Sequence, residues 1–173
     1  KIGVLHNWAF KLPKIFLEFK NLLNINAATQ YVHRTGQDFS NGINADNGSF
    51  NQLYKGIYST QVTAKQDIKK DISYIDWMVG YNYSYRNQPD YRIYVQDVDT
   101  TTGKKSIRIQ TGSATPEVLG RFFSTMKENN ASASAVYTHK FVAPKHNIVS
   151  TLSSGVFTDY KIRAFRARNM GFI

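Results

Sequence analysis

Four histidines, His6, His33, His139 and His146, are the residues best able to hold a metal or move a proton near neutral pH. No pair of them has metal spacing on a helix, and carboxylate support is missing. His139 and His146 flank a turn and could approach each other, but they read first as turn or interface histidines. Asp97-Val98-Asp99, followed by Gly103, begins like a calcium loop. It lacks the third oxygen ligand and the distal glutamate of an EF-hand, so the tip of a charged hairpin is the simpler reading. No Ser, His and Asp set comes with a nucleophile-elbow glycine pattern, no paired carboxylates stand out as acid and base, and phosphate-binding glycine motifs are absent. The residues therefore predict a protein without catalytic groups, metal or cofactor.

Two groups remain that could touch a ligand. Tyr91, Arg92, Tyr94, Phe122 and Phe123 fall in a stretch expected to be loop, where binding residues concentrate. Packing between loops is the competing role for them. Lys161, Arg163, Arg166 and Arg168 form a basic cluster near the end of the chain.

The elements that position these residues are announced by strict alternation. From Ile75 the odd positions read Ile75, Trp77, Val79, Tyr81, Tyr83 and Tyr85, against Asp76, Met78, Gly80, Asn82, Ser84 and Arg86. A helix would scatter the apolar set around its circumference, whereas a strand puts all six on one face. The same period appears in Ile15, Leu17, Phe19, Leu23, Ile25 and Ala27, in Tyr54 to Ala64, and in Ile148, Leu152, Val156, Tyr160 and Ile162. With Val4 to Leu12 and a less decisive Ala131 to Phe141, six main strands are expected. Several alternate for about ten residues, the length that crosses a bilayer at a tilt.

Connections alternate in length. Lys11 to Lys14, Gln66 to Asp71 and Phe141 to Asn147 are short; His33 to Gln52 and Asn87 to Asn130 are long. Within the second long connection, Arg92 to Val98 and Lys105 to Gln110 predict a hairpin around Thr101-Thr102-Gly103-Lys104. The stretch 116–127 reads as a short helix or as an upward extension of the fifth strand from Gly120, with the strand favoured. Tight turns at one end and large loops at the other are the rhythm of outer-membrane barrels. The fold class expected is therefore all-β: an antiparallel transmembrane β-barrel segment of about six long strands in a larger barrel. Leu17, Phe19, Trp77, Val79, Tyr81, Tyr83, Leu152 and Val156 would face lipid. The basic cluster would line a lumen, touch lipopolysaccharide phosphates or belong to a substrate path.

Bulk composition is compatible with this. The chain has 173 residues, 14% of them aromatic, a formal charge of +10 and no cysteine. A disulfide framework and a thiolate metal site are excluded. No run of about 18 apolar residues encodes a membrane helix. The first residue is Lys1 rather than Met, which leads to the expectation of a processed or partial chain forming a single, incomplete barrel domain.

Several stretches resemble barrel strands of the TonB-dependent outer-membrane receptors of the Bacteroidetes type. They are Glu18-Phe19-Lys20-Asn21-Leu22-Leu23-Asn24, Arg34-Thr35-Gly36, Ile57-Tyr58-Ser59, Arg86-Asn87-Gln88-Pro89-Asp90 and Ala167-Arg168-Asn169-Met170-Gly171-Phe172. The resemblance covers most of the chain in short, barrel-generic motifs. It implies a 22-stranded barrel with an N-terminal plug, importing a nutrient (glycan, peptide or metal chelate) with energy relayed through TonB. The implied partners are outer-membrane lipid and lipopolysaccharide, the remaining strands and plug, TonB, and a surface lipoprotein, with no nucleic acid. Two other functions stay open: a small complete barrel of about eight strands with a structural or adhesive role, and a soluble basic β-protein that binds nucleic acid or polysaccharide.

Overall fold

Tyr, Phe, Val, Ile and Thr at every second position suit a pleated backbone, because branched and aromatic side chains pack against cross-strand neighbours. In the computed structural model of the chain these stretches all become strands. The structure describes residues 1–38, 43–109, 112, 118–143 and 148–171. The elements are β1 (Ile2–Lys11), β2 (Ile15–Asp38), β3 (Ile43–Lys69), β4 (Ser73–Tyr94), β5 (Gln96–Val98), β6 (Lys105–Ile107), β7 (Leu119–Ala143) and β8 (Ile148–Gly171). They form one sheet in the order β1-β2-β3-β4-β7-β8, with β5 paired to β3 and β6 paired to β5. β1 and β2 are antiparallel in a register that sets Trp8 opposite Phe19 and Phe10 opposite Leu17.

The barrel expectation is corrected by this topology. β1 and β8 are the two ends of the sheet order and do not pair, so the eight strands make an open sheet rather than a closed transmembrane wall. The small complete barrel is corrected by the same observation, since two of the eight strands are three-residue pieces of a hairpin. Placement in the outer membrane, and with it lipid, lipopolysaccharide, the remaining barrel strands and a plug as partners, loses its structural ground. No helix among the described residues is long and apolar enough to cross a membrane.

The long loops are corrected too. β2 and β3 occupy most of His33 to Gln52, while β4, the β5–β6 hairpin and β7 take up much of Asn87 to Asn130. Strands of 22 to 27 residues replace the expected ten or so. The hairpin lies where alternation placed it. Leu119 starts β7, so the extended reading of 116–127 holds for its described part, while 116 and 117 lie outside the described residues.

The chain divides into two compact units. The first comprises Lys1–Ile25, Gly56–Ser84 and Glu128–Arg163, and the second Asn26–Lys55, Tyr85–Lys127 and Ala164–Ile173. The first unit holds all eight residues assigned to lipid. Phe19 meets Phe10 edge-on at 6.0 Å, and Phe10 meets Trp8 at 5.8 Å. Val79, Tyr81, Leu152 and Val156 are exposed, and Leu17, Trp77 and Tyr83 are half-buried. They form an apolar surface for which the open sheet gives no lipid assignment. Ala64 is the one buried hydrophobic residue among those described, and no large side chain is fully buried. Cross-strand polar pairs stitch this unit: Thr60 to Asn21 at 2.8 Å, Tyr81 to Asn129 at 2.7 Å, and Thr138 with Ser153 at 3.0 Å.

Close backbone approach at Gly155 gives a test of the β7–β8 contact. A Cβ there would meet Val136 Cγ2 at 2.8 Å and the Ala135 carbonyl oxygen at 2.9 Å, whereas nothing lies within 4 Å of one added at Gly3. Gly155→Ala should lower stability by about 1–3 kcal/mol. Gly3→Ala should be neutral or stabilising by about 0.5 kcal/mol. Urea midpoints of the two variants measure the difference; equal midpoints would remove the tight β7–β8 approach.

Candidate functional site

The second unit carries its chemistry on both faces of the sheet. Gln30, Val32 and Arg34 of β2, Asn47, Ser49 and Asn51 of β3, and Tyr91, Ile93 and Val95 around the end of β4 line a cleft of about 410 Å³. Each of these three strands contributes every second residue, as alternation requires of a sheet face, and Gly48 and Tyr94 complete the lining from the positions between. The amides are held by a relay. Ser124 Oγ donates to Gln88 Oε1 at 3.3 Å, and Gln88 Nε2 donates to Asn51 Oδ1 at 2.8 Å. The Gln96 backbone N–H donates to Asn47 Oδ1 at 3.3 Å. Both asparagines therefore have their oxygens engaged and their Nδ2 groups left as donors.

Gln88 and Tyr91 share this face although they are three residues apart, so the alternation of β4 slips by one residue between them. Pro89 sits at the slip. Proline has no N–H to give to a ladder and is confined within sheets to edges and bulges. The slip sends Asp90, Arg92 and Tyr94 to the other face, where with Phe50 and Gln52 they line a recess of about 580 Å³. Asp90 is buried there and accepts from two guanidiniums. Arg121 donates through Nε and Nη2, both at 2.9 Å, and Arg92 donates through Nε at 2.6 Å, with its Nη2 in ion-pair contact at 2.5 Å. These bonds, Arg121 first and Arg92 second, hold the Asp90 carboxyl below its ordinary value of 3.8. The Phe123 ring carries Arg121 at 5.2 Å and Arg168 at 5.1 Å from its centroid.

Asp46 anchors the β5–β6 hairpin to β3. It is buried, bonds Lys105 of β6 and His33 of β2, and both contacts lower its pKa, Lys105 foremost. Tyr94 lies over Gly48, leaving no room for a Cβ there, and its hydroxyl is 3.3 Å from that of Tyr31. The hydrogen bond to Tyr31 and burial raise the Tyr94 pKa.

The expected ligand residues are thus divided. Tyr91 lines the cleft, Arg92 the recess, and Tyr94 touches both. Phe123 serves as a platform for guanidiniums, and Phe122 is half-buried on β7. The basic cluster is divided as well. Arg163 donates to Glu128 at 2.5 Å and Lys161 sits 3.7 Å from it in the first unit, while Arg166 and Arg168 belong to the second.

Asp97 and Asp99 serve the hairpin. Asp97 takes a two-point contact from Arg108, and the Asp99 carboxylate caps the N–H groups of Thr101 and Thr102 at 2.7 and 3.2 Å. Gly103 completes that turn at a φ of 68°. No group of three or more His, Cys, Asp or Glu residues among those described is placed to hold a metal. His6 contacts Trp8, and His139 contacts Tyr137 and Phe141. His146, and with it the possible approach to His139, lies outside the described residues.

No family model matches the chain, and no curated protein matches it.

The resemblance to TonB-dependent receptors is therefore corrected: its short motifs are those of long alternating strands in general, and neither a matching family nor a closed barrel stands behind it. Nutrient import, TonB and a surface lipoprotein fall with it. What residue-by-residue reading missed is the amide set Asn47, Asn51 and Gln88, and the pair Asp46 and Asp90. Pro89 inside a tyrosine-rich alternating run was the one available signal, because it marks a phase slip.

The Asp90 clamp makes acid sensitivity testable. A carboxyl whose folded pKa is depressed contributes stability that is present above its unfolded value and lost as pH falls through the folded one. Melting temperature followed downward from pH 3.8, the ordinary Asp value, should show a loss that Asp90→Asn makes smaller, the remainder coming from other carboxyls held low, Asp46 among them. The substitution itself should cost about 1 kcal/mol at neutral pH, because both guanidiniums stay hydrated. An acid limb identical in Asp90→Asn would remove the clamp.

Proposed function

We propose that the second unit is a non-catalytic binding module for a polyhydroxylated ligand, an oligosaccharide by chemical class, held in the cleft of Gln30, Arg34, Asn47, Ser49, Asn51 and Tyr91. The observation that carries this is the pairing of an aromatic ring with fixed amide donors on one sheet face. A sugar ring has an apolar C–H side that packs on an aromatic face and hydroxyls that need donors and acceptors in fixed directions. Asn51, oriented from behind by Gln88 and Ser124, loses little freedom on binding, and such preorganisation improves affinity. Gln30, Ser49 and Arg34 supply further polar contacts around it.

The proposal assigns the chain no chemistry on the ligand; recognition is the whole of its role. Screening the full chain against a panel of oligosaccharides should yield saturable binding. Tyr91→Ala should weaken it about tenfold, the equivalent of about 1.4 kcal/mol from lost ring contact. Asn51→Ala should weaken it several-fold, consistent with about 1 kcal/mol for a hydrogen bond. No binding across the panel, or binding indifferent to both substitutions, would overturn the reading.

A further inference from the structure

The other face of the second unit has an excess of positive charge arranged at short range. Arg92 lies between Tyr91 and Ile93 in sequence, so its side chain leaves the strand on the side away from the cleft. Asp90 draws Arg92 and Arg121 together by accepting from both. Each guanidinium spends Nε and Nη2 on that carboxylate, so each keeps Nη1 without a partner among the described residues. Phe123 then brings in Arg168, whose only described contact is that ring. Two guanidiniums share the Asp90 carboxylate and the third adjoins them through the Phe123 ring, which also carries Arg121, so the cluster spans the neighbouring strands β4, β7 and β8.

Holding like charges together costs energy in the absence of a counter-ion, and among the described residues Asp90 is the carboxylate that contacts these guanidiniums and partly relieves the cost. Guanidinium forks are planar, weakly hydrated and suited to two-point contact with tetrahedral or carboxylate oxyanions. The side chains are half open to solvent, Arg92 at 57% and Arg121 at 45%, so an incoming anion reaches them without moving the sheet. The adjoining recess of Phe50, Gln52 and Tyr94 has room for the body of a ligand bearing such a group.

We infer that Arg92, Arg121 and Arg168 form a binding site for an oxyanion group (sulfate, phosphate or carboxylate), with Asp90 and Phe123 as the residues that position the three guanidiniums. The site is separate from the cleft and does not depend on what the cleft binds. Its occupant is either a free anion or an acidic substituent on a larger molecule.

The test is titration of the full chain with sodium sulfate against sodium chloride at matched ionic strength, read from the arginine Nε–H resonances. The inference predicts saturable shifts of Arg92, Arg121 and Arg168 with sulfate alone. Arg168→Ala should weaken sulfate binding by at least about fivefold, since it removes one charge-assisted partner. Arg168→Lys should recover part of the loss, because the charge returns without the planar fork. A sulfated disaccharide is the second probe. Tighter binding than free sulfate, with the gain lost in Arg168→Ala, places the group on a larger ligand; equal binding assigns the site to the free anion. Shifts that are the same in chloride and sulfate, or sulfate affinity unchanged in both Arg92→Ala and Arg168→Ala, would overturn the inference.

Discussion

Backbone pairing between neighbouring strands is the interaction on which everything else in this chain depends. Most domains gain their stability by removing apolar side chains from water between layers. Here Ala64 alone among the described hydrophobic residues is buried, and Val4, Trp8, Phe10, Val79, Leu152 and Val156 remain in contact with solvent. The ladder therefore has to be long, and it is: five strands run for 22 to 27 residues. Side-chain hydrogen bonds across strands, such as Thr60 with Asn21 and Thr138 with Ser153, reinforce the register that the ladder sets.

The second unit shows what such a sheet can do once its alternation is broken at one place. If β4 kept its phase through Pro89, Tyr91 would leave the side of Gln88 and Asn51, and Asp90 would turn away from Arg121. The one-residue slip gives the sheet one face of amides, a tyrosine and Arg34, and another built on Asp90 and its guanidiniums. The two buried carboxylates have different duties. Asp46 fastens a hairpin through Lys105 and His33, and Asp90 gathers guanidiniums. Hydrogen bonds lower both carboxyls below their ordinary value, from Lys105 and then His33 at Asp46, and from Arg121 and then Arg92 at Asp90.

Strand positions in the first unit are legible from the sequence because one face there is apolar: Ile75, Trp77 and Val79 mark β4 without ambiguity. The outer parts of β2, β3 and β4 are not legible in that way. Asn44, Asp46 and Gln52 at even positions and Asn47, Ser49 and Asn51 at odd ones are all polar, so no period of two shows, and a Gly- and Asn-rich stretch of that kind reads as loop. Cross-strand hydrogen bonds and ion pairs hold this region extended, and those are long-range facts that no local pattern carries. Closure of the sheet was equally out of reach, since alternation fixes which face a residue takes and says nothing of whether β1 meets β8. Of the site residues, Tyr91, Arg92 and Tyr94 stood out by type, while Asn51 and Asp90 gained meaning only from the neighbours the fold gave them.

Residue-resolved hydrogen exchange tests the open sheet most directly. In a sheet that ends at β8, every second backbone amide of Ile148–Gly171 points away from β7 and has no partner strand. Those amides should exchange at rates close to those of unstructured chain, while amides of the central strands β3 and β4 stay protected. Protection of the outward amides of β8 equal to that of β4 would contradict the open sheet and show that its edge is paired.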